Sequence, residues 1–104
     1  MRRYAFTMKL KSGNVAEYKR RHEEIWPELA QAIRDAGISD YSIFLDEKTL
    51  TLFAVQIQSD STTADDLPNH PTVKKWWAYV APLMVVHADN SPVCGRLKEV
   101  FHLD

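Results

Sequence analysis

Hydrophobic and polar residues change their period several times along this chain, and each change marks an element. Tyr4, Phe6, Met8 and Leu10 alternate with Ala5, Thr7 and Lys9, which predicts a strand with one buried face. Lys11-Ser12-Gly13-Asn14 is a turn, and Asn14 is suited to cap the helix that follows. Val15, Tyr18, His22, Ile25, Leu29 and Ile33 then recur at spacings of three and four, tracing one helical stripe. Gly37 closes that stripe just beyond Arg34 in the last turn. Pro27 interrupts it. A proline removes one backbone hydrogen bond and biases Trp26 away from the helical region, so a kink or a fresh helix start is expected there.

Beyond Gly37 the period returns to two. Tyr41, Ile43 and Leu45 alternate inward in one strand, Asp46-Glu47-Lys48 turns the chain, and Thr51, Phe53, Val55 and Ile57 form the return strand of an antiparallel hairpin. The polar stretch from Ser59 to Pro71 carries two prolines before its last residue is passed, and reads as a short helix or irregular loop. Thr72 to Met84 reads as helix, with Val73, Trp76, Trp77, Val80 and Leu83 inward and Pro82 near its end. His87 to Pro92 is a loop, and Leu97 to Leu103 alternates as a closing strand.

The order is therefore β-α-β-β-α-β, an α+β chain of the ferredoxin-like type, with two helices on one face of a four-stranded antiparallel sheet. Residues 1–104 are expected to form a single domain. Tyr4, Phe6 and Met8 together with Phe53, Val55 and Ile57 supply more apolar bulk than one helix layer needs. A homodimer pressing two sheets together would cover the excess.

Composition narrows the partners. Of the 104 residues, 45% are hydrophobic and 26% charged, which is an ordinary globular mixture and argues against disorder. The formal net charge of -1 and the absence of a basic stripe give no reason to expect nucleic acid. No apolar run approaches the roughly 20 residues of a membrane span. The opening residues alternate like a strand and lack a signal-peptide core, so a cytoplasmic location is expected, in keeping with the single cysteine, Cys94. Cys94 has no base near it in sequence and reads as a small residue beside a loop.

The candidate chemistry lies on two helices. Tyr18 and His22 are four apart, so their side chains share one helix face and can hydrogen-bond one small polar molecule. The imidazole, with an ordinary pKa of about 6.5, can exchange protons near neutrality. A histidine satisfied by a backbone carbonyl at the core edge is the other reading, and periodicity alone leaves both open. Trp76 and Trp77 point about 100° apart, so both serve only if one faces the core and the other a cleft. Indole rings suit the C–H faces of sugars and carry one N–H donor. Tyr41 points inward by alternation, as core or as a second pocket hydroxyl. The histidines His22, His70, His87 and His102 show no paired metal-ligand spacing, and no glycine-rich phosphate loop or nucleophile elbow is present. A pocket without metal or cofactor, lined by His, Tyr and Trp, is the expectation.

With these residues in view, the whole chain resembles the L-rhamnose mutarotases. The resemblance lies in YAFTMKL, EYKRRHEEIWPEL, the pair Trp76-Trp77, the loop Asp89-Asn90-Ser91-Pro92 and the closing EVFHL. It implies a dimeric α+β barrel of ferredoxin-like subunits and an isomerase exchanging the α and β anomers of L-rhamnose. It also implies that His22 is the proton donor and that Tyr18, Tyr41, Trp76 and Trp77 contact the sugar, without metal or cofactor. A cofactor-free monooxygenase or lactone isomerase on the same barrel, or a non-catalytic sugar-binding module, would be the competing readings.

Overall fold

The computed structural model describes residues 1–104. In chain order the elements are strand β1 (Arg2–Lys9), helices α1 (Val15–Glu23) and α2 (Pro27–Asp35), strands β2 (Ile38–Asp46) and β3 (Thr51–Gln58), helix α3 (Pro71–Val80) and strand β4 (Gly95–Leu97). Short 3-10 helices, Ala64–Asn69 and Ala81–Leu83, lie before and after α3. The sheet order is β2-β3-β1-β4 and every pairing is antiparallel, as the ferredoxin-like order requires.

The helical stripe from Val15 to Ile33 is carried by two helices, with the fresh start that Pro27 predicts. Trp26 takes an extended backbone (φ -63, ψ 130) and Pro27 opens α2 at a position where its missing N–H costs nothing. The backbone oxygen of Trp26 accepts from the amides of Leu29 and Ala30, so the break is at once a new start. Asn14 does not cap α1 with its side chain. Its carboxamide turns back to donate to the carbonyls of Lys11 and Ser12, while its backbone oxygen begins the helix by accepting from Tyr18. The third helix is shorter than expected, because Pro82 cannot continue the α pattern and the chain tightens into Ala81–Leu83. His70 caps α3: its Nδ1 accepts from the amide of Thr72.

Cross-strand register decides which residues share a face. Tyr4 pairs with Gln56, Phe6 with Ala54 and Met8 with Leu52, and this set faces the helices. Met8, Leu52 and Ala54 pack there with Leu29, Val73, Trp76 and Val80. On the other face Thr7 pairs with Phe53, Ala5 with Val55 and Leu97, and Phe44 with Phe53. That face is apolar and open: Phe44 is 64% exposed, and Phe53, Val55 and Leu97 between 36% and 40%. The closing strand is much shorter than the expected 97–103. Only Gly95–Leu97 pairs with β1, and residues 98–104 leave the sheet with Val100, Phe101 and Leu103 exposed.

The polar stretch after β3 is anchored to the end of α2. Ala36 offers its carbonyl to the Thr63 amide and the Thr62 hydroxyl, and Gly37 offers its own to the Ser59 amide. Gly37 has φ +82, and a Cβ there would stand 2.3 Å from Ser59 Oγ and 3.2 Å from Thr62 Cα. Gly13 has a similar φ of +85 but open space around it. Gly13→Ala is therefore expected to cost about 1 kcal/mol from backbone strain alone. Gly37→Ala is expected to cost at least about 1 kcal/mol more, read as the difference in urea midpoints between the two variants.

Candidate active site

Between the helices and the inner face of the sheet lies a cavity of about 1120 Å³, lined by residues of β1, α1, β2, β3 and α3. Its chemistry gathers at the α1 end. Tyr18 is buried, at 7% exposure, and its ring lies 4.2 Å from the His22 ring, centroid to centroid, as the four-residue spacing predicts. The edge of Trp76 meets His22 at 5.2 Å and an interplanar angle of 88°. Trp26, set at the break between α1 and α2, packs edge-to-face on Trp76 at 5.0 Å, and Tyr79 completes the aromatic cluster. Arg21 spreads its guanidinium 4.2 Å from the Tyr79 ring centre, closing the cluster on the outside.

His22 is satisfied by a backbone carbonyl, and it also lines the cavity. Its Nδ1 lies 2.9 Å from the backbone oxygen of Tyr18. A carbonyl can only accept, so Nδ1 carries the proton and Nε2 has the lone pair in the neutral ring. Nε2 has no partner in the protein. Burial pulls the His22 pKa below its ordinary 6.5, against the opposing pull of the Tyr18 carbonyl. At neutral pH the group is thus a neutral imidazole with one oriented, basic nitrogen.

Tyr41 reaches the site by a device the alternation does not reveal. Ser39 pairs with Ile57 and Ser42 with Val55, so Asp40 and Tyr41 together oppose the single residue Gln56. This is a β-bulge, and within it Asp40 takes a left-handed φ of +48. Tyr41 lines the cavity mouth with 37% of its surface exposed, yet its hydroxyl is enclosed, and that enclosure pushes its pKa up to about 12, with Cys94 adding to the rise. The Tyr18 hydroxyl is raised by burial first and then by Tyr41 and Cys94. Both phenols stay protonated at any physiological pH.

Trp76 and Trp77 divide their work as their angular offset predicts: both line the cavity, but Trp76 is buried in the core cluster and Trp77 is only partly covered. The five expected residues, Tyr18, His22, Tyr41, Trp76 and Trp77, all line this one cavity. Cys94, read from sequence as incidental, lines it too, and burial pushes its thiol up, away from the nucleophilic thiolate. Gln56 and Gln58 were also missed. They occupy the inner face of β3, 4% and 3% exposed, and the available signal was their shared period with Leu52 and Ala54. The loop before Cys94 is held by Asp89, which accepts from the Ser91 amide at 2.9 Å and from its hydroxyl, and Asn90 takes φ +70 to make the turn.

An aromatic wall around one basic nitrogen and two phenols, in a cavity of a ferredoxin-like α+β fold, defines a small-molecule site. Comparison with known proteins names the branch. The L-rhamnose mutarotase family model matches residues 3–103. L-rhamnose mutarotases from Brucella anthropi and Rhizobium meliloti are 54% and 53% identical, covering 97% and 99% of this chain and 95% and 99% of their own. The crystal structure of an L-rhamnose mutarotase from Formosa agariphila superposes with a TM-score of 0.94 at 50% identity, over the full length of both chains. The chain belongs to the L-rhamnose mutarotase family.

The site geometry makes a spectroscopic prediction. Nitrogen-15 NMR of labelled histidine is expected to show His22 as the Nδ1–H tautomer at pH 7.5, with a titration midpoint below 6.5. A midpoint above 6.5 would contradict the burial that sets it.

Proposed function

We propose that this protein is an L-rhamnose mutarotase in which His22 moves the proton. The single observation that carries the mechanism is the Tyr18 carbonyl on Nδ1, which leaves Nε2 free, oriented and basic toward the cavity. Family membership over residues 3–103 carries the substrate.

The chemistry is that of a cyclic hemiacetal. Nε2 takes the proton of the anomeric hydroxyl as the bond between the anomeric carbon and the ring oxygen breaks, its electron pair going to the ring oxygen. The anomeric carbon becomes an aldehyde. The two oxygens sit on the same carbon, so the imidazolium just formed can deliver its proton to the ring oxygen without leaving its place. Rotation of the aldehyde and the reverse sequence on its other face give the second anomer. No net charge or electron is gained. A positioned acid–base group contributes about 10²–10⁴-fold. That is enough for a reaction which water already performs slowly.

Tyr18 and Tyr41 serve as hydrogen-bonding groups rather than proton sources, because their raised pKa values make them weak acids. Trp76 and Trp77 give the sugar's C–H face an apolar platform. The reaction as written draws on these side chains alone, with no metal or cofactor. His22→Asn is expected to slow anomer exchange by at least about 10²-fold in NMR saturation transfer while leaving sugar binding within a few-fold. The proposal predicts a rate that falls on acidification, because the working form is the neutral ring. The fall is centred below pH 6.5, following the lowered pKa. A rate that rises as the pH drops from 7 to 5 would instead identify imidazolium as the starting form.

We further propose that two copies associate through the open sheet face. Phe44, Phe53, Val55 and Leu97 form a continuous apolar surface on the side opposite the cavity, and the exposed Phe101 and Leu103 lie on the segment that leaves β4. Monomeric proteins seldom leave such a surface uncovered. A dimeric α+β barrel with a sugar site in each cytoplasmic subunit is the assembly this supports. Val55→Asp is expected to shift sedimentation from dimer to monomer at micromolar concentration.

A further inference from the structure

The inner face of β3 changes character half way along. Leu52 and Ala54 are buried and apolar, whereas Gln56 and Gln58 are equally buried and polar. Burying two carboxamides costs stability unless their hydrogen bonds are made. Gln58 uses both ends of its carboxamide. Its Oε1 accepts from Arg2 Nε at 3.2 Å and from Nη2 at 3.0 Å, and its Nε2 donates to Gln56 Oε1 at 2.9 Å.

The directions in this chain are forced. An arginine has donors only, so the Gln58 atom facing Arg2 must be oxygen and the atom facing Gln56 must be the NH₂ group. Gln56 must then answer with its own oxygen. Its NH₂ group is left over, with no partner in the protein. No side-chain nitrogen or oxygen that is wholly enclosed lacks a hydrogen bond, so this NH₂ is not sealed in the core. Gln56 lines the cavity, opposite the Asp40–Tyr41 bulge that delivers the Tyr41 hydroxyl.

We infer that Gln56 is a specificity-determining residue whose NH₂ group donates to a hydroxyl of the bound sugar, and that Arg2, acting through Gln58, is the positioning residue that keeps it a donor. The inference rests on the sugar reading of the cavity. An unanchored carboxamide could present oxygen or nitrogen by a half-turn of its last torsion. The relay removes that choice and gives the sheet wall a donor of one polarity. The donor side of the pocket then requires a substrate oxygen at a set place, while the aromatic wall opposite discriminates only by shape. A site built to bond a hydroxyl rejects an analogue lacking it far more strongly than an apolar wall rejects a misfit.

The test uses L-rhamnose and its analogues lacking one ring hydroxyl each, with wild type, Gln56→Met and Arg2→Met. Wild type is expected to lose on the order of tenfold in kcat/KM for the analogue missing the contacted hydroxyl. Gln56→Met is expected to lose the same factor on rhamnose and almost nothing further on that analogue, with the pH profile set by His22 unchanged. Arg2→Met, at the exposed start of β1, is expected to show a smaller loss against the same analogue, and it carries the test if Gln56→Met folds poorly. Equal losses on every sugar, or none, would overturn the inference. If wild type fails to accelerate exchange of any sugar, the mutarotase reading falls. Gln56 is then judged by sugar binding followed through tryptophan fluorescence, where absence of the same non-additive pattern overturns it.

Discussion

The arrangement of this protein depends on one missing amide proton. Pro27 cannot donate to a helix that runs through it, and its ring excludes Trp26 from helical torsion angles. The chain resolves the conflict by ending α1 at Glu23 and starting α2 at Pro27 itself. Two short helices can then tilt independently. α2 lays Leu29 and Ala32 onto the core, while α1 presents Tyr18 and His22 to the cavity. The extended residue between them, Trp26, puts its indole at the corner, against Trp76 and Tyr79. A continuous helix would have carried His22 and Leu29 on the same straight stripe, both into dry core.

Electrostatics follows from that placement. The cavity contains an imidazole, two phenols and a thiol, and burial pushes each away from its charged form. The outer side of α1 shows the opposite regime: Glu17, half-exposed, is pulled down to about 2 by hydrogen bonds from Arg20 and then Arg21. One helix of nine residues therefore separates a neutral, hydrogen-bonding interior from a salt-bridged surface. The proposed reaction, in which no net charge is transferred, suits such an interior, because only a brief imidazolium–oxyanion pair would have to be stabilised.

Much of this was legible in the sequence, and the exceptions have physical causes. The strand and helix order followed from the periods, and the Tyr18–His22 pairing from helix geometry. The break at Pro27 followed from the chemistry of proline. What escaped were features that depend on a neighbour. The Asp40 bulge is visible only once β2 is registered against β3, since nothing local marks a left-handed aspartate. Asn14 was expected to cap α1 because the residue type suits it, but the turn offered its carboxamide two nearby carbonyls instead. The last strand was overestimated because alternation from Leu97 to Leu103 was read as pairing, whereas the ladder ends at Leu97 opposite Ala5 although β1 continues to Arg2. Gln56 and Gln58 escaped because their burial depends on the helices that cover the inner face of β3.

Strand β3 has a property that bears on how this family could change. Its even-numbered residues from Leu52 to Gln58 look into the cavity side, and its odd-numbered residues Phe53 and Val55 look out across the open face. A single point substitution on this strand therefore alters either the chamber or the outer surface, and hardly ever both. The proposed ligand contact and the proposed self-association thus fall on interleaved positions of one eight-residue segment, so each can drift under its own selection. For protein engineering, that makes β3 a place where the chamber wall can be rewritten while the outer face stays intact.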